Sequence, residues 1–198
     1  MGKATIGVIV LAALLGLWAI SGYNRLVHLD QAVQGQWAEV ENVYQRRADL
    51  VPNLVETVKG AANFEKSTLT AVTEARARVG QVSAQATEKI TGDPAAFQRF
   101  QQAQDGLSSA LSRLLVVSEA YPDLKATAAF RDLQAQLEGT ENRIAVARMR
   151  FNQAAQAFNS ARDSFPTVIV AGMAGKRFAE KAYFKAQAGA ATAPQVQF

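Results

Sequence analysis

FRDLQAQLEGTENRIAVARMRFNQAAQAFNSARDSF, residues Phe130–Phe165, is the stretch that decides the fold. Phe130, Leu137, Ile144, Phe151, Phe158 and Phe165 recur in it every seven residues. Seven residues are close to two α-helical turns, so the six side chains fall on one stripe of one long helix. Leu133, Thr140, Ala147, Ala154 and Ala161 form a second, mostly small seam beside it. A large seam next to a small one lets a neighbouring helix approach closely. The pattern predicts a helix from about Thr127 to Asp163.

Three more helices follow from the same reasoning upstream. Pro122 ends a helix in which Phe100, Leu107, Leu114 and Tyr121 repeat every seven residues, with Phe97 and Leu111 as companions. Asp93 suits its N-cap and Pro94 its first position. A weaker stripe of Phe64, Leu69, Val72, Ala75, Val79 and Val82 predicts a helix from Asn63 to about Glu88. The first stripe runs Leu26, Leu29, Val33, Trp37, Val40, Tyr44, Val51, Leu54 and Val58, with Gly60 as its stop. Pro52 lies inside that run. It lacks a backbone donor and crowds the preceding turn, so a kink or break near Asp49 is expected. Short connections favour antiparallel neighbours.

Ahead of these helices lies ATIGVIVLAALLGLWAISG, 19 residues from Ala4 to Gly22 without a charge. At ~1.5 Å per residue it spans ~28 Å, enough to cross the hydrocarbon layer of a bilayer. Ile6, Val10, Leu14 and Leu17 would face lipid, and Trp18 and Tyr23 would sit at one interface. The apolar core is long for a cleaved leader, and Ala-Ile-Ser-Gly fits a cleavage site poorly, so a retained anchor is expected. Basic residues flank both ends: Lys3 before, and Arg25, then Arg46 and Arg47, after. A short leader before a long domain suits a signal-anchor whose domain crosses the membrane, so an extracytoplasmic domain is expected.

The fold class expected is therefore all-α: an N-terminal transmembrane helix, then an antiparallel four-helix bundle of long helices. The division is anchor 1–22, bundle 23–166 and basic C-terminal tail 167–198. In the tail, Lys176, Arg177, Lys181 and Lys185 stand against Glu180, among apolar Val168, Phe178, Tyr183 and Phe184. It reads either as a tail on anionic headgroups or as a packing arm.

Composition narrows function. The 198 residues include no cysteine and one histidine, His28. That leaves no thiol nucleophile or disulfide framework and makes a histidine-based metal cluster or triad improbable. No Glu-x-x-His pair of the kind that builds a di-metal bundle occurs, nor any phosphate-binding glycine loop. His28 reads as an interfacial polar residue. The net charge of +4 is dispersed, without an aromatic platform for nucleic acid. No cofactor or metal is expected.

The polar residues that stand out form two groups. Arg46, Arg47, Asp49, Asn53, Glu56 and Lys59 surround Pro52, and Arg46–Asp49 and Glu56–Lys59 have ion-pair spacing. Two carboxylates could perform acid–base chemistry, but a network steadying the proline turn accounts better for them. A relay of stress signals through Pro52 is a further reading. Glu141 and Arg148 share a helical face, with Asn142 and Asn152 in register, as buried polar groups that fix the packing of a bundle do.

Three ordered motifs carry a resemblance. RRADLVPNLVETVKG (Arg46–Gly60), EAYPDLKA (Glu119–Ala126, with Tyr121, Pro122 and Lys125) and TENRIAVAR (Thr140–Arg148) resemble the signatures of the LemA family of membrane-anchored bacterial proteins. Trp37 stands where that family has an Ala-Trp pair, here with Gln36, and Phe151-Asn152, Phe165-Pro166 and Val196-Gln197-Phe198 also fit. The resemblance implies an anchored long-helix bundle and no established reaction. The single anchor, the long stripes and the sparse chemistry suggest a homo-oligomeric scaffold, and the resemblance adds an adaptor role and a bacterial inner membrane with a periplasmic domain. Partners would be membrane metalloproteases or other envelope proteins, and the role membrane organisation, envelope stress response or protein quality control.

Overall fold

Helix α1 (Lys3–Lys59) carries the chain without interruption from the charge-free segment into the body of the protein. The computed structural model describes residues 2–60, 65–85 and 90–185. Five further helices follow: α2 (Lys66–Gln85), α3 (Pro94–Ser118), α4 (Pro122–Ala126), α5 (Ala128–Asp163) and α6 (Thr167–Ala174). There is no strand among the described residues. The expected ends Asn63 and Glu88 of the second helix, the stripe residue Phe64 and the terminal Val196-Gln197-Phe198 lie outside the described residues.

The caps follow the chemistry. The Asp93 carboxylate accepts from the Ala95 and Ala96 amides at 3.0 and 3.1 Å, and Pro94 opens α3. Thr127 caps α5 by accepting from the Phe130 amide.

Helix α1 packs chiefly on α5, and α2 on α3. The rings of Trp37 and Phe151 meet 5.5 Å apart, while about three turns further along α1, Arg47 meets Glu141, earlier on α5. The two helices are therefore antiparallel. Trp37 with Phe100, and Arg47 with Gln104, make α3 run parallel to α1. The result is the antiparallel four-helix bundle of α1, α2, α3 and α5. Phe130, Leu137, Ile144, Phe151 and Phe158 of the large seam are all buried. Removing such side chains from water is the main favourable term, ~1.5–3 kcal/mol each.

Two departures have local causes. Helix α1 does not break at Pro52. Proline leaves the Ala48 carbonyl, four residues back, without its helical donor. The Arg76 Nε of α2 donates to that oxygen at 3.0 Å, so the turn stays satisfied while Pro52 itself faces solvent. Phe165 is 82% exposed and leaves the seam, because α5 ends at Asp163 with Ser164 in extended backbone.

The segment Ala4–Leu17 is fully exposed. Among the described residues, α1 is the one helix long and apolar enough to cross a membrane, by length and composition. At its other end the chain turns through α6, which packs on α1 and α5, and a short 3₁₀ turn (Gly175–Phe178). Residues 179–185 then lie along the bundle as a strap.

Candidate functional site

The core divides into two apolar clusters. One runs from Leu26 to Tyr44 on α1, with Phe97, Phe100, Ile144, Phe151 and Phe158. The other runs from Val51 to Val58, with Leu107, Leu111, Leu114, Phe130 and Leu137. Arg47 sits between them, 1% exposed. Its position is set by the stripe: Tyr44, Arg47 and Val51 follow steps of three and four, so Arg47 points where an apolar residue would. Gln104 takes the same place between Phe100 and Leu107 on α3, and Thr140 between Leu137 and Ile144 on α5; both are buried. Three helices thus each place a polar residue at one level.

The guanidinium satisfies most of the layer. Arg47 Nη2 donates to the Gln104 side-chain oxygen at 2.6 Å and to its backbone oxygen at 3.0 Å. Nη1 donates to Ser108 Oγ and, at 2.8 Å, to Glu141 Oε1. The Tyr44 ring lies under the cation, 5.0 Å from Cζ. Thr140 closes on its own helix by donating to the Gln136 carbonyl. Burial pushes the Tyr44 phenol above its ordinary 10.0, with the Arg148 and Arg47 guanidiniums pulling the other way. The chemistry is that of a buried arginine fork that joins one turn each of α1, α3 and α5.

Toward the anchor, the strap is held by side-chain amides. Asn152 Nδ2 donates to the Phe184 carbonyl at 3.0 Å, and its Oδ1 accepts from the Phe184 amide at 2.9 Å. Asn159 does the same to Lys181, at 2.9 Å both ways, and also donates to the Tyr183 hydroxyl. Seven helical residues rise ~10.5 Å and three extended residues span ~10 Å, so the two asparagines match the strap's own spacing. Arg148 donates to the Lys185 carbonyl at 3.1 Å, faces Asp105 at 3.7 Å and lies over the Phe184 ring. Trp37 completes this corner, packed against Phe97, Phe100, Phe151 and Phe184. Lys181 is buried beside Asp30 and over Phe158, so this cation belongs to the packing of the arm.

The structure thus joins Arg47 to Glu141, and Arg148 and Asn152 to Trp37's cluster. The other singled-out residues lie apart. Arg46, Asn53 and Asn142 are exposed. Asp49 accepts from Gln45 at 2.7 Å, and Glu56 pairs with Lys59 at 2.7 Å on the surface. The two carboxylates therefore each meet a neighbour on α1 rather than converging. At the far turn Glu119 pairs with Lys125, while Tyr121 precedes α4 at its N-cap position without a side-chain capping bond and Pro122 opens the helix. No group of three His, Asp or Glu side chains able to hold a metal lies among the described residues. Gln104, Ser108, Asn159 and Lys181 escape a reading by local motif, although the stripe positions of Gln104 and the seven-residue step from Asn152 to Asn159 are in the sequence.

A sequence model described as the LemA family matches residues 36–198. Among similar curated proteins is Magnetosome protein MamQ of Magnetospirillum gryphiswaldense, 26% identical over 88% of this chain and 71% of that one. Magnetosome protein MamQ 2 of Paramagnetospirillum magneticum is 27% identical over 82% of this chain and 64% of its own. Protein LemA of Metamycoplasma hominis is 23% identical over 75% and 63%. The chain spans about two thirds of the length of these relatives, and none of their names denotes a reaction.

Proposed function

The chain belongs to the LemA family, and from that premise we propose that it is a membrane-anchored, non-enzymatic scaffold. Its bundle would hold copies of itself or other envelope proteins beside the membrane. The observation that carries this reading is the outer face of α5. Val146 and Met149, one turn apart, are 42% and 52% exposed. Val146 itself lines a shallow groove with Glu39, Asn142, Arg143 and Arg150. An apolar pair rimmed by both signs of charge suits a protein contact.

The polar chemistry supports the same view. The buried arginine and the strap asparagines bond to the protein itself, which rigidifies the bundle. We place the anchor in a bacterial inner membrane with the bundle on the extracytoplasmic side. The role we favour for it is organising membranes, with a membrane metalloprotease as the alternative partner.

A photo-crosslinking residue at Met149 of the full-length protein, in its native membrane, tests this reading. A crosslink to a second copy or to another membrane protein is expected. No adduct at Met149, Val146 or Arg143 would overturn it.

A further inference from the structure

We propose that α6, with Phe165, is a second membrane contact, dipping into the lipid interface beside the anchor. This rests on the membrane-anchored reading of α1.

Helix α6, TVIVAGMA, has no charged residue. Thr167, Val170 and Ala171 are buried against the bundle. At 100° per residue, Val168, Gly172, Ile169 and Met173 occupy the opposite arc, and all four are exposed. Met173 is 86% exposed, and Phe165, just before the helix, is exposed too. A short helix apolar on both its inner and outer faces needs an apolar surrounding on both.

Its position says what that surrounding is. Val170 Cγ2 lies 3.6 Å from where a Cβ on Gly22 would stand. Tyr23 packs edge-on to Phe178, and the Arg177 guanidinium lies 5.5 Å from the Tyr23 ring centre. Gly22 closes the apolar run of α1, three residues before Arg25, so α6 is level with the point where the anchor leaves the hydrocarbon. The exposed face therefore continues the lipid-facing surface of α1. Lys176 and Arg177, both exposed, follow immediately, where headgroup phosphates would meet them. The occupant is the bilayer that holds α1, contacted to the depth of an interfacial helix, ~5–10 Å below the headgroup boundary.

The chain lacks cysteine, so single labels are straightforward. Full-length Met173→Cys and Ile169→Cys, spin-labelled in vesicles with anionic lipid, are compared with Leu14→Cys and Val116→Cys. Val116 is exposed at the opposite end of α3. Collision with oxygen should exceed collision with a water-soluble nickel chelate at positions 169 and 173, less so than at 14, and fall below it at 116. Labels at 169 and 173 that read as aqueous as 116, while 14 reads hydrocarbon, overturn the α6 inference alone. An aqueous reading at 14 as well would remove the anchor and this proposal together. Spin–spin broadening at 173 between copies, lost on dilution with unlabelled protein, would assign the face to self-association and refute the lipid contact.

Discussion

Replacing Arg47 by alanine tests the buried layer at its centre. The change removes the donor to two oxygens of Gln104, itself 2% exposed, and to Ser108. A buried polar group without its partner costs ~1–3 kcal/mol, and a void is added where the long side chain was. The unmet oxygens of Gln104 and that void together put the cost of Arg47→Ala at ~3–5 kcal/mol. Glu141 differs, because its side chain is 45% exposed and water can replace the guanidinium. A half-exposed ion pair contributes ~0–1 kcal/mol, so Glu141→Gln should cost less than ~1 kcal/mol. The assay is guanidinium unfolding of the full chain in detergent micelles, followed by near-ultraviolet circular dichroism of the Trp37 cluster. Glu141→Gln as damaging as Arg47→Ala would place the energy in the ion pair. An Arg47→Ala cost below ~1 kcal/mol would refute the buried fork altogether.

Further consequences are separately measurable. Phe151→Ala should destabilise by ~3–5 kcal/mol in the same unfolding assay, since Phe151 is fully buried among Trp37, Phe97 and Phe184. Arg76→Ala should cost ~1 kcal/mol with Pro52 present and close to nothing in a Pro52→Ala background, where residue 52 again donates to the Ala48 carbonyl; additive costs would contradict the account. Asn152→Ala should speed amide exchange at Phe184, whose N–H loses its acceptor, and leave the α3 amides unchanged. The Tyr44 phenol should ionise above the ordinary tyrosine value of 10.0 in an ultraviolet pH titration. The Tyr44 phenol is raised in the folded state, so its contribution to stability is complete below ~10 and is lost as pH rises through the folded value. Tyr44→Phe should remove that late-titrating phenol.

The sequence made the long elements legible because each buries a stripe. The start of α5 near Thr127 and the large seam to Phe158 were readable from spacing, and the Asp93–Pro94 start of α3 from capping chemistry. Helices α4 and α6 were not, being too short to show a period. Pro52 was expected to break or kink α1, but the donor that steadies its turn comes from Arg76, 28 residues away in another helix. Arg47 stood out with Arg46 only as part of a motif. The seven-residue step from Tyr44 to Val51 already contained the inward position it fills. The strap was hidden for another reason: Asn152 and Asn159 recognise backbone amides, which carry no residue signature. Lys181 fitted either reading of the tail, on headgroups or in a packing arm, and the Asp30 carboxylate and Phe158 ring around it belong to the arm.

The most direct test of the scaffold reading is the mass of the full-length protein gently extracted from its native membrane, by light scattering with imaging of the same particles. The account predicts a particle of several copies, or one carrying a second membrane protein. A bare monomer at native abundance would contradict it.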